Sequence, residues 1–233
     1  MIDVHSHILY GIDDGSKSIS ESADILDGLK EQGFTDIILT PHYVADTTYV
    51  SPRKNNLKLM RSLQKAAPEG IKLHLGNEIY VDRNIDELLS QKVISSLADS
   101  KYLLIELPMS GEFEGYEDIF DSLRLKGYQV VLAHPERYSS THHDYSIIEK
   151  LHESGVLFQC NYGSFIGQYG HKSQKLAKKL AKNKLIFMLG TDIHHARDYS
   201  EIAKSLKKLR RYYTAEELED LTTNHPRKII EKH

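Results

Sequence analysis

The sequence predicts an α/β fold in one domain, built on a parallel sheet that is either closed as a barrel or doubly wound. Three observations lead there. Short apolar runs alternate with amphipathic stretches along the whole chain. The runs are rich in Ile, Leu and Val instead of alternating with polar residues, which is the pattern of strands covered on both faces. No internal repeat, low-complexity segment or Pro/Gly/Ser linker divides the 233 residues, so residues 1–233 are expected to form a single domain, long enough to bury a core without disulfides.

The elements follow in order. Ile2–His5 is the first strand, and the start of the chain lacks the basic segment and long apolar run of a signal peptide. Ser18–Gln32 places Ile25, Leu26 and Leu29 at helical spacing and stops at Gly33, a suitable residue for a left-handed helix end. Strands are predicted at Asp36–Thr40, Ile71–Leu75 and Lys101–Leu107. Helix Tyr116–Lys126 ends at Gly127 before strand Tyr128–Ala133, and helix Tyr145–Ser154 ends at Gly155 before strand Val156–Cys160. The helical pattern His171–Asn183 precedes a seventh strand, Leu185–Leu189, and Thr214-Ala215-Glu216-Glu217 has the form of a capping box opening a terminal helix.

Composition narrows the function. A lone cysteine, Cys160, excludes a disulfide framework and a cysteine-rich zinc site, and it points to a reducing compartment, so a cytoplasmic protein is expected. The formal net charge of −3 gives no global field for nucleic acid, and no apolar run approaches a membrane span, so neither nucleic-acid binding nor direct membrane insertion is expected. The basic stretches Lys172–Lys184 and Lys204–Arg211 are read as solvated helix faces, with docking to an acidic partner segment or a membrane surface as the alternative. The oligomeric state leaves no trace in the sequence.

Thirteen histidines are the anomaly, and their positions matter more than their number. Parallel barrels carry their functional groups at the C-terminal ends of strands. The first strand ends His5-Ser6-His7, an i, i+2 pair whose rings share one face. The second ends Thr40-Pro41-His42, the third runs out through Gly76-Asn77-Glu78, and the fourth buries Glu106 in an apolar run. The fifth ends His134-Pro135-Glu136-Arg137 and the seventh Thr191-Asp192-Ile193-His194. Only the sixth, at Cys160-Asn161, ends without an imidazole or carboxylate. Asp13-Asp14-Gly15 offers a further carboxylate or an ordinary turn. Imidazoles with carboxylates and no thiolate suit manganese, iron or zinc, and so many donors exceed the needs of one tetrahedral ion. Clustered divalent ions activate water and neutralise charge in phosphate-ester hydrolysis. Arg137 and Arg197 are candidates to grip a phosphate. A cysteine-dependent phosphatase is excluded, because Ile166 stands where its phosphate-binding arginine would be needed, six residues after Cys160.

Taken together in order, Met1-Ile2-Asp3-Val4-His5-Ser6-His7, Asp13-Asp14-Gly15, Thr40-Pro41-His42, Gly76-Asn77-Glu78, Leu104-Ile105-Glu106, Ala133-His134-Pro135-Glu136-Arg137 and Thr191-Asp192-Ile193-His194 resemble the polymerase and histidinol phosphatase (PHP) superfamily. More closely, the chain resembles the manganese-dependent protein-tyrosine phosphatases of Gram-positive capsular and exopolysaccharide operons. The resemblance implies a distorted (β/α)7 TIM-like barrel and two or three divalent ions. The ions implied are Mn2+, with iron or zinc as alternatives, and the implied ligands are His5, His7, Asp14, His42, Glu78, Glu106, His134, Asp192 and His194. It implies a metal-activated hydroxide as nucleophile, and phosphate binding by Arg137 and a further arginine, for which Arg197 is the candidate. The implied substrate and partner is a phosphotyrosine-bearing bacterial tyrosine kinase, which would bring the protein to the inner face of the membrane. A PHP-type phosphatase acting on a small molecule such as histidinol phosphate is the enzymatic alternative. A non-catalytic metal-binding partner of the kinase is the alternative from another class.

Overall fold

The computed structural model describes residues 1–111, 115–196 and 199–231. Among them lie nine strand segments: β1 (Ile2–Asp3), β2 (Asp36–Leu39), β3 (His42–Tyr43), β4 (Lys72–Leu75), β5 (Glu78–Tyr80), β6 (Tyr102–Glu106), β7 (Gln129–Ala133), β8 (Leu157–Asn161) and β9 (Ile186–Gly190). All their pairings are parallel, in the orders β1-β2-β4 and β3-β5-β6-β7-β8-β9.

Nine segments reduce to seven staves. β3 continues β2 beyond Thr40-Pro41, where proline offers no N–H to a ladder, and β5 continues β4 beyond Gly76-Asn77. The gap between the first and seventh staves closes just past the regular strands. Ser6 bridges Ile193, the His7 N–H donates to the Ile193 carbonyl at 2.9 Å, and the Asp192 N–H donates to the His5 carbonyl at 2.8 Å. The sheet is therefore a barrel and not a doubly wound layer.

Helices α1 (Ile19–Glu31), α2 (Arg53–Ala66), α3 (Ile85–Ser90), α4 (Tyr116–Leu125), α5 (Ser139–His143), α6 (Ser146–Glu153), α7 (Gly170–Lys182), α8 (Ser200–Leu209), α9 (Ala215–Glu219) and α10 (His225–Ile230) complete the described elements. α1 starts where the Ser18 hydroxyl accepts from the Glu21 N–H, and it buries Ile25, Leu26 and Leu29. The predicted capping box at Thr214 and Glu217 is formed in full. α2 has no counterpart in the sequence reading. It opens on Pro52 without a capping side chain, and of its apolar residues only Leu63 is fully buried, so its stripe is weak.

Strand residues alternate between two cores, as the period of two requires. Ile37, Leu39, Leu103, Ile105, Val130, Leu132, Phe158 and Leu189 face the helices. Ile2, Val4, Ile38, Leu104, Val131 and Met188 fill the barrel, and Leu97 and Ile229, the latter from α10, join them from outside the staves. Each such side chain is worth ~1.5–3 kcal/mol of burial. The interior is thus packed with apolar groups, and polar groups gather at the stave ends.

A buried carboxylate clamps the closing seam. Asp3 accepts from the Thr191 N–H at 2.9 Å and from the Thr191 hydroxyl at 2.6 Å. Burial pushes its carboxyl up to about 6, although the hydrogen bonds from Thr191 and His5 oppose the shift. Asp3→Ala strands two buried donors, and a loss of about 2–3 kcal/mol is expected. Urea unfolding of the metal-free protein measures it. An unchanged midpoint would show that closure does not depend on this clamp.

Candidate metal centre

The stave ends bring together the donor residues expected from the sequence. His5 and His7 follow β1, His42 opens β3, Glu78 opens β5, Glu106 closes β6, His134 follows β7, and Asp192 and His194 follow β9. The two interrupted staves contribute directly. Because β3 and β5 resume in register, His42 pairs with Glu78 across the sheet. His134 and Asp192 have positive φ, 31° and 51°, at the point where each chain leaves the ladder. Non-glycine residues carry strain there, of order 1–3 kcal/mol each, and such strain gathers at functional sites.

Glu78 is the centre of the arrangement and is fully buried. Its Oε2 lies 3.2 Å from His5 Nε2, 3.1 Å from His7 Nε2 and 3.1 Å from His42 Nδ1. Its Oε1 lies 2.9 Å from His134 Nε2. Asp192 Oδ1 sits 3.4 Å from both His5 Nε2 and His7 Nε2. Farther out, Asp14 Oδ1 is 3.5 Å from His42 Nε2 and 3.5 Å from His194 Nε2. Four groups have mutually close donor atoms: His7, Asp14, His42 and His194; His5, Glu78 and His134; His5, His7 and Asp192; and His42, Glu78 and Glu106.

Electrostatics shows how crowded the cluster is. Burial alone would lower His5, but the Glu78 and Asp192 carboxylates outweigh it and raise the imidazole to about 9. Burial pushes the Glu106 carboxyl up to about 8, helped by the neighbouring charges of Glu78 and Asp192. Burial would also raise Glu78, yet His5 and His42 hold it well below the usual carboxylate range.

The donor set fits divalent metal. His42 Nδ1 and Glu78 Oε2 are buried and 3.1 Å apart, yet neither has a hydrogen-bond partner. They are neighbours without being aligned as donor and acceptor. Ligands ~2.1 Å from one cation stand about 3.0 Å apart in an octahedron and about 3.4 Å apart in a tetrahedron, which brackets the spacing around Oε2. The donors are imidazole and carboxylate only, the set suited to manganese, iron or zinc.

The structure separates Asp13 from Asp14. Asp13 turns inward, its Oδ2 3.0 Å from His7 Nδ1, and accepts from the backbone N–H groups of Gly15 and His42. Asp14 faces His42 and His194. The orienting role of Asp13 was not visible in the sequence, where the two residues look alike. Arg137 Nη1 donates to Asp192 Oδ2 at 2.5 Å, and its guanidinium lies 4.4 Å from the centroid of the Tyr169 ring. Nothing in the sequence singles out Tyr169. Arg197 lies outside the described residues. Cys160 is buried among the helix-facing residues, and burial together with nearby Glu136 raises its thiol well above the usual range. It is no thiolate nucleophile.

A Cβ on Gly15 would lie 1.9 Å from the His7 carbonyl oxygen. Gly15→Ala must therefore push the Asp14 loop off His7, and divalent-ion affinity is expected to fall ~10-fold or more. Equilibrium dialysis with a retained far-UV spectrum tests this. Unchanged affinity would detach the loop from the cluster.

Comparison with known proteins extends over almost the whole chain. CapC of Staphylococcus aureus is 34% identical, covering 96% of this chain and 89% of its own. The tyrosine-protein phosphatase YwqE of Bacillus subtilis is 32% identical over 84% of this chain and 78% of its own. A structure from the work on YwqE and Streptococcus pneumoniae CpsB, described as unique metal-dependent tyrosine phosphatases, superposes with a TM-score of 0.86 at 29% identity. It covers 99% of this chain and 94% of that one. The family of capsular polysaccharide synthesis, CpsB/CapC, matches residues 1–231, and the chain belongs to it.

Proposed function

We propose that this chain, as one metallophosphatase domain over residues 1–233, hydrolyses phosphotyrosine on the tyrosine kinase of a capsular or exopolysaccharide pathway. The observation that carries the reading is the Glu78 carboxylate oxygen ringed by three imidazole nitrogens at 3.1–3.2 Å, without a hydrogen bond of its own. The tyrosine specificity is supported by the relative YwqE, a tyrosine-protein phosphatase, and by the metal-dependent tyrosine phosphatases of the superposed structure. Among the described residues no helix is long and apolar enough to cross a membrane, and the reading needs none.

His5, His7, Asp14, His42, Glu78, Glu106, His134, Asp192 and His194 are the residues that would hold two or three divalent ions, with Mn2+ the preferred identity and iron or zinc the alternatives. Bound there, the ions supply an acidified water, polarisation of a phosphoryl oxygen and neutralisation of its charge. The chain's own residues do the rest. Arg137 stands at the edge of the cluster, partly exposed, with one N–H on Asp192 and one face toward Tyr169. Its remaining N–H groups can donate to phosphate oxygens, and its two fixed contacts reduce the freedom lost when they do. Asp13 holds the His7 ring by Nδ1, leaving Nε2 toward the cluster. Arg197 is assigned a second phosphate contact on the resemblance alone.

Chelator-stripped protein is expected to regain phosphotyrosine turnover on adding Mn2+, with phosphoserine and histidinol phosphate turned over more slowly. Full turnover by the stripped protein would refute the reading, and a preference for histidinol phosphate would move it to small molecules. His5→Ala with His7→Ala should remove ~1,000-fold or more of kcat, and Arg137→Ala about 100-fold of kcat/KM for p-nitrophenyl phosphate with ion content retained. Cys160→Ser should keep most activity; loss of turnover in a folded, metal-replete variant would reopen a thiol mechanism.

A further inference from the structure

The sixth stave, β8, is the one whose end carries no imidazole or carboxylate, yet it sends two amides to the cluster. Gln159 and Asn161 are i, i+2 neighbours, and both are fully buried. His5 Nδ1 lies 2.8 Å from Gln159 Oε1, Gln159 Nε2 donates to Asn161 Oδ1 at 2.8 Å, and Asn161 Nδ2 donates to Asp192 Oδ2 at 2.8 Å. The four side chains form one continuous file from the first stave through the sixth to the seventh.

The direction of this file is determined from both ends. At Asp192, Arg137 donates to the same Oδ2, and a guanidinium has no acceptor. Oδ2 is therefore an acceptor, and Asn161 must present its NH2 there and its carbonyl to Gln159. At the other end the His134 backbone N–H, which can only donate, points at Gln159 Oε1 at 3.4 Å. That atom is accordingly the amide oxygen. The nitrogen of His5 facing it must carry the proton, which leaves Nε2 as the ring atom turned to Glu78, His7 and Asp192.

The file is tightly housed. A Cβ on Gly190 would lie 2.7 Å from His5 Cβ and 2.8 Å from Gln159 Nε2, so only glycine fits beside it. Glu136 Oε1 accepts from the Asn161 backbone N–H at 2.9 Å and from the Ser164 hydroxyl at 2.6 Å, which fixes the main chain at the end of β8.

We infer that Gln159 and Asn161 are positioning residues, which hold His5 in its Nδ1-protonated form and turn Asp192 toward the cluster. The inference rests on the metallophosphatase reading of that cluster. Ligand histidines commonly donate their second N–H to such a partner, and losing the partner costs 10–100-fold in metal affinity or activity. A purely structural pair of amides would add stability without dictating a tautomer.

The test uses zinc-loaded protein, because zinc is diamagnetic, with nitrogen-15 NMR of the histidine rings. His5 is expected to carry its proton on Nδ1 and none on Nε2. A proton on Nε2 overturns the inference and needs no variant that might misfold. In Gln159→Leu, zinc affinity measured against a chromophoric chelator should fall ~10–100-fold, and kcat should fall while KM for p-nitrophenyl phosphate holds. Adding Asn161→Leu should cost little more, because either change breaks the same file. A folded Gln159→Leu protein with wild-type zinc affinity overturns the inference while leaving the proposed activity standing. If wild-type protein takes up no zinc, manganese or iron, the metallophosphatase reading itself falls, and this inference with it.

Discussion

Four imidazoles crowd one buried carboxylate, and the mouth of the barrel is organised to keep them there. Around Glu78 stand His5, His7, His42 and His134, with Asp192 and Glu106 close behind. Taking ionisable groups out of water costs several kcal/mol each unless their partners are well placed. The placement comes from the scaffold: interrupted staves that align His42 with Glu78, two backbone positions held at positive φ, and a seam clamped by Asp3. A cluster of this kind could not be held on flexible loops, because each donor satisfies its neighbours only within a few tenths of an ångström.

How far the sequence revealed this depends on the kind of residue. Strand-end imidazoles and carboxylates were legible because their types are rare in apolar strands and their spacing follows the period of two. His5 with His7 and Asp192 with His194 are examples, and both pairs meet the cluster as the spacing implies. The choice between Asp13 and Asp14 was not legible from spacing, since it depends on how closely Gly15 lets the loop approach the His7 carbonyl. The breaks at Thr40-Pro41 and Gly76-Asn77 were likewise hidden inside what looked like plain strand ends. Gln159 and Asn161 gave no signal at all. Amides are common, carry no charge, and acquire meaning only from what lies across the barrel. α2 went unread because its buried stripe is thin.

The structure also distinguishes two histidines that the sequence presents as equals. His7 rests its Nδ1 on the Asp13 carboxylate, whereas His5 rests its Nδ1 on the Gln159 amide. A charged acceptor makes the ring a stronger electron donor than a neutral one does. The cluster therefore has built-in asymmetry: the ring on the Asp13 carboxylate is the stronger electron donor, and the ring on the amide file the weaker. Donor atoms of one type at one spacing can in this way serve ions of different demand.

The seam between Asp3 and Thr191 joins residues 188 positions apart. During synthesis a domain generally folds as a unit. Here Asp13 and Glu78, partners of His7 and His5, emerge early, but Asp192 arrives only with the seventh stave, and loop closure on that scale is among the slowest steps in forming a topology. Asp192 and His194 therefore join the donors of the earlier staves only when the barrel closes. The nascent chain consequently passes through its most exposed stage with the cluster lacking its last two donors.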